Sequence, residues 1–272
     1  MIRSWLRTDW APGLLRSARA RLLARWYNYL GRRLAGSPIV YLNYGFSYLG
    51  QPPEPELPHV DREMRHYSQL YDFVGRNTEL VGKHVLEIGC GYGGGAAYLH
   101  RTFGIGRLFG LDQAESAVRT GHDRFSAPGV DFTVGKAESL PVLDEAFDAV
   151  VCVEASHCFP DLDRFLNETW RVLRRGGTLV LADYRTSPAM RDLEGQLHAS
   201  RLRLLDAQDI SPNVLMSIEE THRQRSEWIR QYGNLWSRPL MSQFAGVRGS
   251  LVHRMFESGW LVYKCFCLER SH

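Results

Sequence analysis

Glycines concentrated between two apolar segments could hold a nucleoside ligand. Gly89, Gly91 and Gly94 fit the GxGxxG pattern of dinucleotide sites. The apolar residues before them predict a buried strand and those from Ala96 onward predict a helix, so the glycines would form a tight turn between the two. A second apolar segment, LFGLDQ, carries Asp112 at its end. A carboxylate at that point can accept hydrogen bonds from both hydroxyls of a ribose.

An acidic residue within the first predicted strand helps to decide between two candidate cofactors, NAD and S-adenosylmethionine. NAD presents a pyrophosphate, which favours unobstructed amides at a helix N-terminus, whereas S-adenosylmethionine carries a positive sulfonium and an α-amino group. Glu87 stands two residues before Gly89 and suits the cation. The sequence therefore favours S-adenosylmethionine. An NAD-dependent oxidoreductase stays as the alternative, because it explains the glycines and Asp112 but not Glu87.

A histidine and an aspartate follow two later predicted strands. His157 stands at the carboxyl end of one parallel strand, and Asp183 ends the next strand, LVLAD. Doubly wound sheets bind ligands at that edge, so the two side chains are expected to meet there. Histidine has a pKa near neutrality, which suits a general base, and the aspartate would orient it. The alternative is a structural role in capping a loop or helix. Glu154 flanks the same strand end and could support the cofactor or the second substrate.

Five motifs occur in order over roughly residues 80 to 185: VLEIGCGYGGG, LFGLDQ, GKAESLP, FDAVVCVEASHCFPD and RVLRRGGTLVLADY. Together they resemble the class I S-adenosylmethionine-dependent methyltransferases. The resemblance implies an α/β fold with a doubly wound, Rossmann-like sheet, mostly parallel with an antiparallel last strand, and with an N-terminal helical lid and a helical cap insertion. It implies S-adenosyl-L-methionine as the cofactor, held by Glu87, Gly89, Cys90, Gly91, Gly93, Asp112, Gln113, Ala137, Glu138 and Glu154. Ala137 and Glu138 would then lie beside the adenine.

Three segments resemble one subgroup more closely. NYGF, GYGGGAAYLHRT and VEASHCFPDLDRFL are similar to bacterial methyltransferases that O-methylate phthiotriolone-type long-chain lipids. This implies methyl transfer to a hydroxyl of a hydrophobic acceptor, a lipid or polyketide-like natural product. HCFPD, followed by the aspartate at the end of LVLAD, also resembles sugar O-methyltransferases in which a His–Asp pair deprotonates the acceptor. That likeness implies His157 as the base and Asp183 as its orienting partner.

Two other functions stay open from the sequence. EASHCFP also resembles a loop of sterol C-methyltransferases. This would place the methyl group on a carbon of an isoprenoid, sterol-like or aromatic natural product. The other option is a catalytically silent module that keeps the cofactor fold.

The chain divides into four predicted parts. Residues 1–60 carry an amphipathic helix, an aromatic lid and a proline-rich linker, and residues 61–185 form the cofactor-binding core. Residues 186–245 form a helical cap over the substrate, and residues 246–272 supply a helix and two closing strands of the core. Six side chains are expected to line the acceptor site: Tyr41, Tyr44, Phe46, Met216, Trp228 and Trp236.

Positive charge is confined to one end of the chain. Residues 1–38 hold eight arginines and one aspartate, a net charge of +7, which leaves −4 for the remainder. Nucleic-acid binding requires a broad basic face, so no nucleic-acid partner is expected. A predicted helix over residues 14–34 gathers Leu15, Leu22 and Leu30 on one side. This face could form a lid, contact a membrane surface or belong to a targeting segment.

The composition excludes several classes of protein. A hydrophobic share of 44% and a charged share of 23% exclude disordered and collagen-like chains. No apolar run approaches the ~18 residues that a membrane span needs. Five cysteines without a CxxC pair predict a reduced, cytoplasmic protein with neither a disulfide framework nor a metal site. A homodimer is compatible with the sequence.

Overall fold

The computed structural model describes residues 13–34, 36–50 and 59–271. The first described elements are α1 (Gly13–Leu34), a strap over residues 36–50, a 3-10 helix (His59–Met64) and α2 (Arg65–Gly75). Strands and helices then alternate: β1 (His84–Ile88), α3 (Gly94–Phe103), β2 (Arg107–Asp112), α4 (Glu115–Phe125), β3 (Val130–Val134), β4 (Phe147–Val153), a 3-10 turn (Ser156–Cys158), α5 (Leu162–Val172) and β5 (Leu173–Thr186). The remainder comprises α6 (Ser187–Ala199), β6 (Arg203–Asp209), α7 (Ser211–Glu220), α8 (His222–Tyr232), α9 (Arg238–Phe244), α10 (Leu251–Glu257) and β7 (Leu261–Glu269).

The seven strands form one sheet in the order β3-β2-β1-β4-β5-β7-β6. The first five strands in that order are parallel, whereas β7 lies antiparallel between β5 and β6. The predicted α/β fold with an antiparallel last strand is confirmed. The strand order reverses between β1 and β4, and doubly wound sheets bind ligands at the carboxyl ends of the strands at such a point.

The central strands are apolar on both faces because helices cover both sides of the sheet. Val85 and Leu86 are adjacent in β1, are both fully buried, and belong to separate apolar clusters on opposite faces. Val151 and Val150 of β4 are divided in the same way. Burying one such side chain contributes about 1.5–3 kcal/mol, so these two strands form the rigid base on which the following loops are built.

The C-terminal part of the sheet differs from the sequence prediction. Residues 186–245 were expected to be helical throughout, yet they contain β6, which pairs antiparallel with β7 through Leu204 and Leu268. The prediction of two closing strands within residues 246–272 is wrong, because one strand, β7, lies there. β6 lies at the edge of the sheet and is mostly exposed, so it lacks the apolar alternation that marks a strand in the sequence.

The C-terminal half of α1 packs onto the domain. Leu30 and Leu34 are buried, and the ring of Trp26 lies 5.4 Å from that of Phe244 in α9. Leu22, which was predicted on the same apolar face, is exposed. The side chain of Leu15 and the proline-rich linker at residues 51–58 lie outside the described residues.

Candidate active site

A first cavity, of about 990 Å³, opens where β1, β2 and β4 end. Its lining includes eight of the ten predicted cofactor residues: Gly89, Cys90, Gly91, Asp112, Gln113, Ala137, Glu138 and Glu154. The other two, Glu87 and Gly93, are not among the lining residues. Sequence motifs therefore located most of this wall.

The turn after β1 depends on a residue without a side chain. Gly89 has φ +78°, and a Cβ there would lie 2.2 Å from the Cβ of Ala155 in the loop after β4. The amide of Gly89 donates a hydrogen bond of 2.7 Å to the carbonyl of Leu111 in β2. Glycine thus allows the turn to bind β2 and approach the β4 loop at once, which forms the cavity floor.

Asp112 is positioned to hold a pair of hydroxyl groups. Its two carboxylate oxygens accept hydrogen bonds from the amides of Gly91 (3.0 Å) and Ala114 (2.8 Å). Burial raises the pKa of Asp112, although these amides oppose the shift. Each carboxylate oxygen can accept a further bond. Glu138 also lines the cavity, and its buried Oε1 has no hydrogen-bond partner in the described part of the chain. These acceptors fit the ribose and base of an adenosyl group.

Glu87 is fully buried behind Tyr71, and not in the cavity wall itself. The Tyr71 hydroxyl donates a 2.8 Å hydrogen bond to Glu87 Oε1, and the Tyr71 ring lines the cavity. Burial raises the pKa of Glu87 to about 8, and its Oε2 is unpartnered among the described residues. The Tyr71 ring fits there because Gly95 has no side chain. A Cβ at that position would lie only 2.0 Å from the ring. Glu87 would therefore act on a bound cation from behind Tyr71, without direct contact.

A second cavity, of about 830 Å³, adjoins the first. The two share five lining residues: Tyr27, Tyr41, Leu42, Asn43 and Glu154. Most of the remaining wall is apolar or aromatic and comes from α1, the strap, α8 and α9, including Trp26, Leu30, Ile39, Trp228, Met241 and Phe244. His157, Tyr184 and Arg225 add polar groups. This cavity suits an apolar molecule that offers a few polar atoms.

His157 and Asp183 meet as predicted. His157 Nδ1 lies 2.9 Å from Asp183 Oδ1, and the His157 amide donates to Asp183 Oδ2 at 3.0 Å. The parallel pairing of β4 and β5 ends at Val153 and Ala182, so the residues that follow both strands converge at one edge. β5 itself continues to Thr186, and the prediction that Asp183 ends this strand is therefore wrong by three residues. The continuation pairs with β7, which holds Asp183 fully buried.

The charges around this pair stabilise an ionised aspartate. Burial alone would raise the pKa of Asp183, but Arg185 and His157 outweigh it and hold that pKa well below its usual range. The Ser156 hydroxyl adds a 2.7 Å hydrogen bond to Asp183 Oδ2. For His157, burial disfavours the imidazolium, but Cys158 and Asp183 outweigh burial and raise the pKa of the ring to about 10. The ring is thus a strong base in the free protein.

Glu154 lies on the boundary between the two cavities. Its backbone has φ +49°, which costs a non-glycine residue ~1–2 kcal/mol. Its Oε1 accepts a 2.8 Å hydrogen bond from the amide of Tyr44 in the strap. Burial raises the pKa of Glu154 to about 8 despite that bond. The strained loop therefore holds a carboxyl group, largely protonated near neutral pH, where the contents of both cavities would meet.

The six residues expected to line the acceptor site divide into two groups. Tyr41, Tyr44 and Trp228 do line the second cavity. The prediction is wrong for Phe46, which packs against Phe73 at a ring distance of 4.6 Å, and for Met216 and Trp236, which are exposed. Sequence reasoning assigned no role to Tyr27, Tyr184 and Arg225. Tyr27 and Arg225 lie outside the motifs and Tyr184 ends one of them, but only the packing of α1, β5 and α8 places all three at one cavity.

A seven-stranded sheet in this order, with a glycine turn after β1 and an acid at the end of β2, is characteristic of the class I S-adenosylmethionine-dependent methyltransferases. Comparison with known proteins agrees. The family described as "Methyltransferase domain" matches residues 86–181. Geranyl diphosphate C-methyltransferase from Streptomyces coelicolor has a similar fold, with a TM-score of 0.68 and 18% identity, covering 93% of this chain and 97% of that one.

Curated relatives identify the family within that class. The chain is 36% identical over 253 residues to phthiotriol/phenolphthiotriol dimycocerosates methyltransferase of Mycobacterium tuberculosis, covering 92% of this chain and 93% of the relative. It is 35% identical over 221 residues to a fatty-acid O-methyltransferase of Mycolicibacterium smegmatis, covering 76% and 80% respectively. The chain belongs to the family of S-adenosylmethionine-dependent methyltransferases that contains these enzymes. The choice between the two nucleoside cofactors is thereby decided for S-adenosylmethionine.

Across residues 13–34, 36–50 and 59–271, no helix is both long enough and apolar enough to cross a bilayer.

Proposed function

We propose that the enzyme transfers the methyl group of S-adenosylmethionine to a hydroxyl of a hydrophobic small molecule, a lipid or polyketide-like natural product. The observation that carries this proposal is the His157–Asp183 pair at 2.9 Å in the wall of an apolar cavity that adjoins the cofactor cavity. An alcohol is a poor nucleophile near neutral pH, and a positioned base overcomes this.

The residues of the first cavity would hold the cofactor. Asp112 would accept hydrogen bonds from the ribose hydroxyls, and Ala137 and Glu138 would lie beside the adenine. Tyr71 and Glu154 would lie near the methionine end, with Glu87 behind Tyr71. When bound, S-adenosylmethionine supplies a methyl group that its sulfonium has already activated.

The residues of the second cavity would prepare the acceptor. Asp183 accepts a hydrogen bond from His157 Nδ1–H, which selects the tautomer whose Nε2 can take a proton. His157 Nε2 lies 3.4 Å from the Tyr184 hydroxyl, so an acceptor hydroxyl would have to approach Nε2 beside Tyr184. The aromatic walls exclude water, which favours proton transfer within the site over exchange with solvent.

The class of acceptor is supported by both the cavity and the relatives. The wall of the second cavity is dominated by aromatic and aliphatic side chains. The two curated relatives are named for phthiotriol or phenolphthiotriol dimycocerosates and for a fatty acid. A long-chain molecule that carries a hydroxyl group fits both observations.

Methyl transfer to carbon is the second candidate, and Glu154 is the observation that favours it. In its ionised form, a buried carboxyl group with a pKa of about 8 is a stronger base than an ordinary carboxylate, and one shared by both cavities could take a proton from a carbon acceptor. The deciding experiment uses isotope-labelled S-adenosylmethionine, a panel of long-chain alcohols, diols and hydroxy acids, and NMR of the product. A labelled methoxy signal supports the proposal, whereas a labelled methyl on carbon contradicts it.

We also propose that the enzyme works at a cytoplasmic membrane surface, where its acceptor would dissolve. The loop between α8 and α9 exposes Leu235 by 83% and Trp236 by 92%. It lies beside α1, since Arg33 Nε donates to the carbonyl of Tyr232 at the end of α8 and Asn234 of the loop lies 3.4 Å from the Tyr29 hydroxyl. Arg32 and Arg33 are exposed. Exposed apolar residues next to basic ones suit an anionic bilayer. The helices that flank this loop also wall the second cavity.

A further inference from the structure

The second cavity contains a buried positive charge that the proposed reaction does not use. Arg225 of α8 is 4% exposed and lines this cavity. Its Nε donates to Thr221 Oγ1 at 2.7 Å, its Nη1 to the carbonyl of Ala245 at 2.6 Å, and its Nη2 to the carbonyl of Tyr44 at 2.7 Å. All three acceptors are neutral. Within the described ranges no carboxylate pairs with Arg225, although Arg270, which is also buried, pairs with Glu145.

A buried cation is costly unless an anion compensates it. The guanidinium has five N–H donors, of which these three bonds use three. A second donor stands next to it, because the Tyr67 ring lies 5.1 Å from Arg225 Cζ and also lines the cavity. The Tyr67 hydroxyl is buried close to the Thr221 side chain, and it donates no geometrically complete hydrogen bond within the described residues. Free donors and an uncompensated positive charge therefore coincide at one end of an apolar cavity.

We propose that the acceptor carries a carboxylate, and that Arg225 and Tyr67 bind it. This inference rests on the proposed function and specifies its substrate as a long-chain hydroxy acid. A carboxylate supplies both the missing negative charge and two oxygens in the planar arrangement that a guanidinium binds best.

The carboxylate site is distinct from the site of methyl transfer. Tyr44 lies between them, since its carbonyl accepts from Arg225 and its amide donates to Glu154. Its ring packs 5.1 Å from that of Tyr184, whose hydroxyl lies 3.4 Å from His157 Nε2. Both sites belong to one cavity. One acceptor can thus present its hydroxyl to His157 while its carboxylate binds Arg225 on the other side of Tyr44.

A pair of ligands tests this inference on the unaltered enzyme. Ricinoleic acid carries both a hydroxyl and a carboxylate on a long chain, and its methyl ester replaces the charged carboxylate by a neutral group that is one methyl larger. Calorimetric titration in the presence of S-adenosylhomocysteine should show the acid binding about tenfold more tightly than the ester, the scale of a charge-assisted hydrogen bond. Equal affinities, or no detectable binding of the acid, would overturn the carboxylate site.

Two substitutions then assign the preference to one residue. Arg225→Gln should abolish the preference for the acid. Arg225→Lys keeps the positive charge but not the planar set of N–H donors, and it should retain part of the preference. A full preference in Arg225→Gln contradicts the assignment. Because Arg225 also donates to backbone carbonyls, circular dichroism checks that each variant is folded. If neither variant folds, the comparison of the two ligands on the unaltered enzyme still tests the carboxylate site. Methyl transfer to the ester hydroxyl without a preference for the acid would refute the carboxylate site alone and leave the proposed function intact.

Discussion

At the scale of single residues, the site depends on one charged pair held in a buried position. Asp183 is ionised because Arg185 and His157 surround it, and the same carboxylate orients the His157 ring through Nδ1. A structural capping role and a catalytic role would both use these contacts. Only the effect on turnover distinguishes the two roles.

Replacing His157 by Ala should lower kcat by about 10²–10⁴-fold, the usual contribution of a general base. Affinity for S-adenosylhomocysteine should stay within about twofold, because His157 does not line the first cavity. Turnover and calorimetric titration measure the two effects. His198→Ala is the matched control, since this histidine is exposed on α6 and should leave both quantities unchanged. Undiminished turnover in His157→Ala would refute the assignment of the base.

The pH dependence of kcat/KM should report the same group. The pKa of His157 is raised to about 10, so most of the ring is protonated near neutrality. A general base acts in its neutral form, and kcat/KM should therefore rise about tenfold per pH unit and level off near pH 10. Asp183→Asn removes a charge that raises this pKa, so the rise should move to lower pH while the plateau falls. A pH-independent kcat/KM would contradict the role of His157.

At the scale of elements, the cofactor cavity depends on how closely three strand ends approach each other. Gly89 bonds β2 through the Leu111 carbonyl and leaves room for Ala155 after β4. Neither contact can be maintained if the turn is displaced. Glycine is therefore required at position 89 both for its positive φ and for close packing against Ala155.

Gly89→Ala should lower both stability and cofactor affinity. An alanine at its positive φ costs ~1–2 kcal/mol, and the clash with Ala155 should add about 1–3 kcal/mol of overpacking. Thermal unfolding and titration with S-adenosylhomocysteine measure the two effects. Gly82→Ala is the control, because Gly82 has φ +69° but no atom within 4 Å of its Cβ position. Gly82→Ala should lower the stability only by the conformational cost. An equal loss of stability in the two variants would contradict the role of the contact with Ala155.

At the scale of the whole molecule, the second cavity is enclosed by elements from both ends of the chain. α1 and the strap cover it from one side, and α8 and α9 cover it from the other. The exposed α8–α9 loop lies where these two sides meet. Under the proposal of membrane contact, a long-chain acceptor would enter past this loop.

Replacing Leu235 and Trp236 together by Ser should weaken binding to vesicles of phosphatidylglycerol about tenfold or more, because two large apolar side chains would no longer enter the interface. Vesicle co-sedimentation measures this, and vesicles of phosphatidylcholine alone should bind the unaltered protein more weakly. Leu143→Ser provides a control for surface apolarity, since Leu143 is 82% exposed in a different loop. Unchanged binding of the double variant would show that the loop does not contact the membrane.

Much of the fold and of the cofactor site could be predicted because their signals are local. Each predicted strand of the core ends in the residues that form the site, so Asp112 and His157 could be located from the apolar run before them. β6 could not be predicted in this way, since an exposed edge strand carries no apolar alternation. Phe46 and Met216 were misplaced because an apolar side chain indicates burial without indicating which cavity it faces.

What the sequence by itself determined is the class of enzyme, because strand, glycine turn and acid follow one another within a few residues and their geometry depends on neighbours along the chain. The tertiary structure alone decided what encloses the acceptor. Arg225 bonds the carbonyl of Tyr44 across 181 residues, and Tyr44 bonds Glu154 across 110. Contacts at that separation depend on how helices and strap pack over the sheet edge, and no local pattern of residue types encodes that packing.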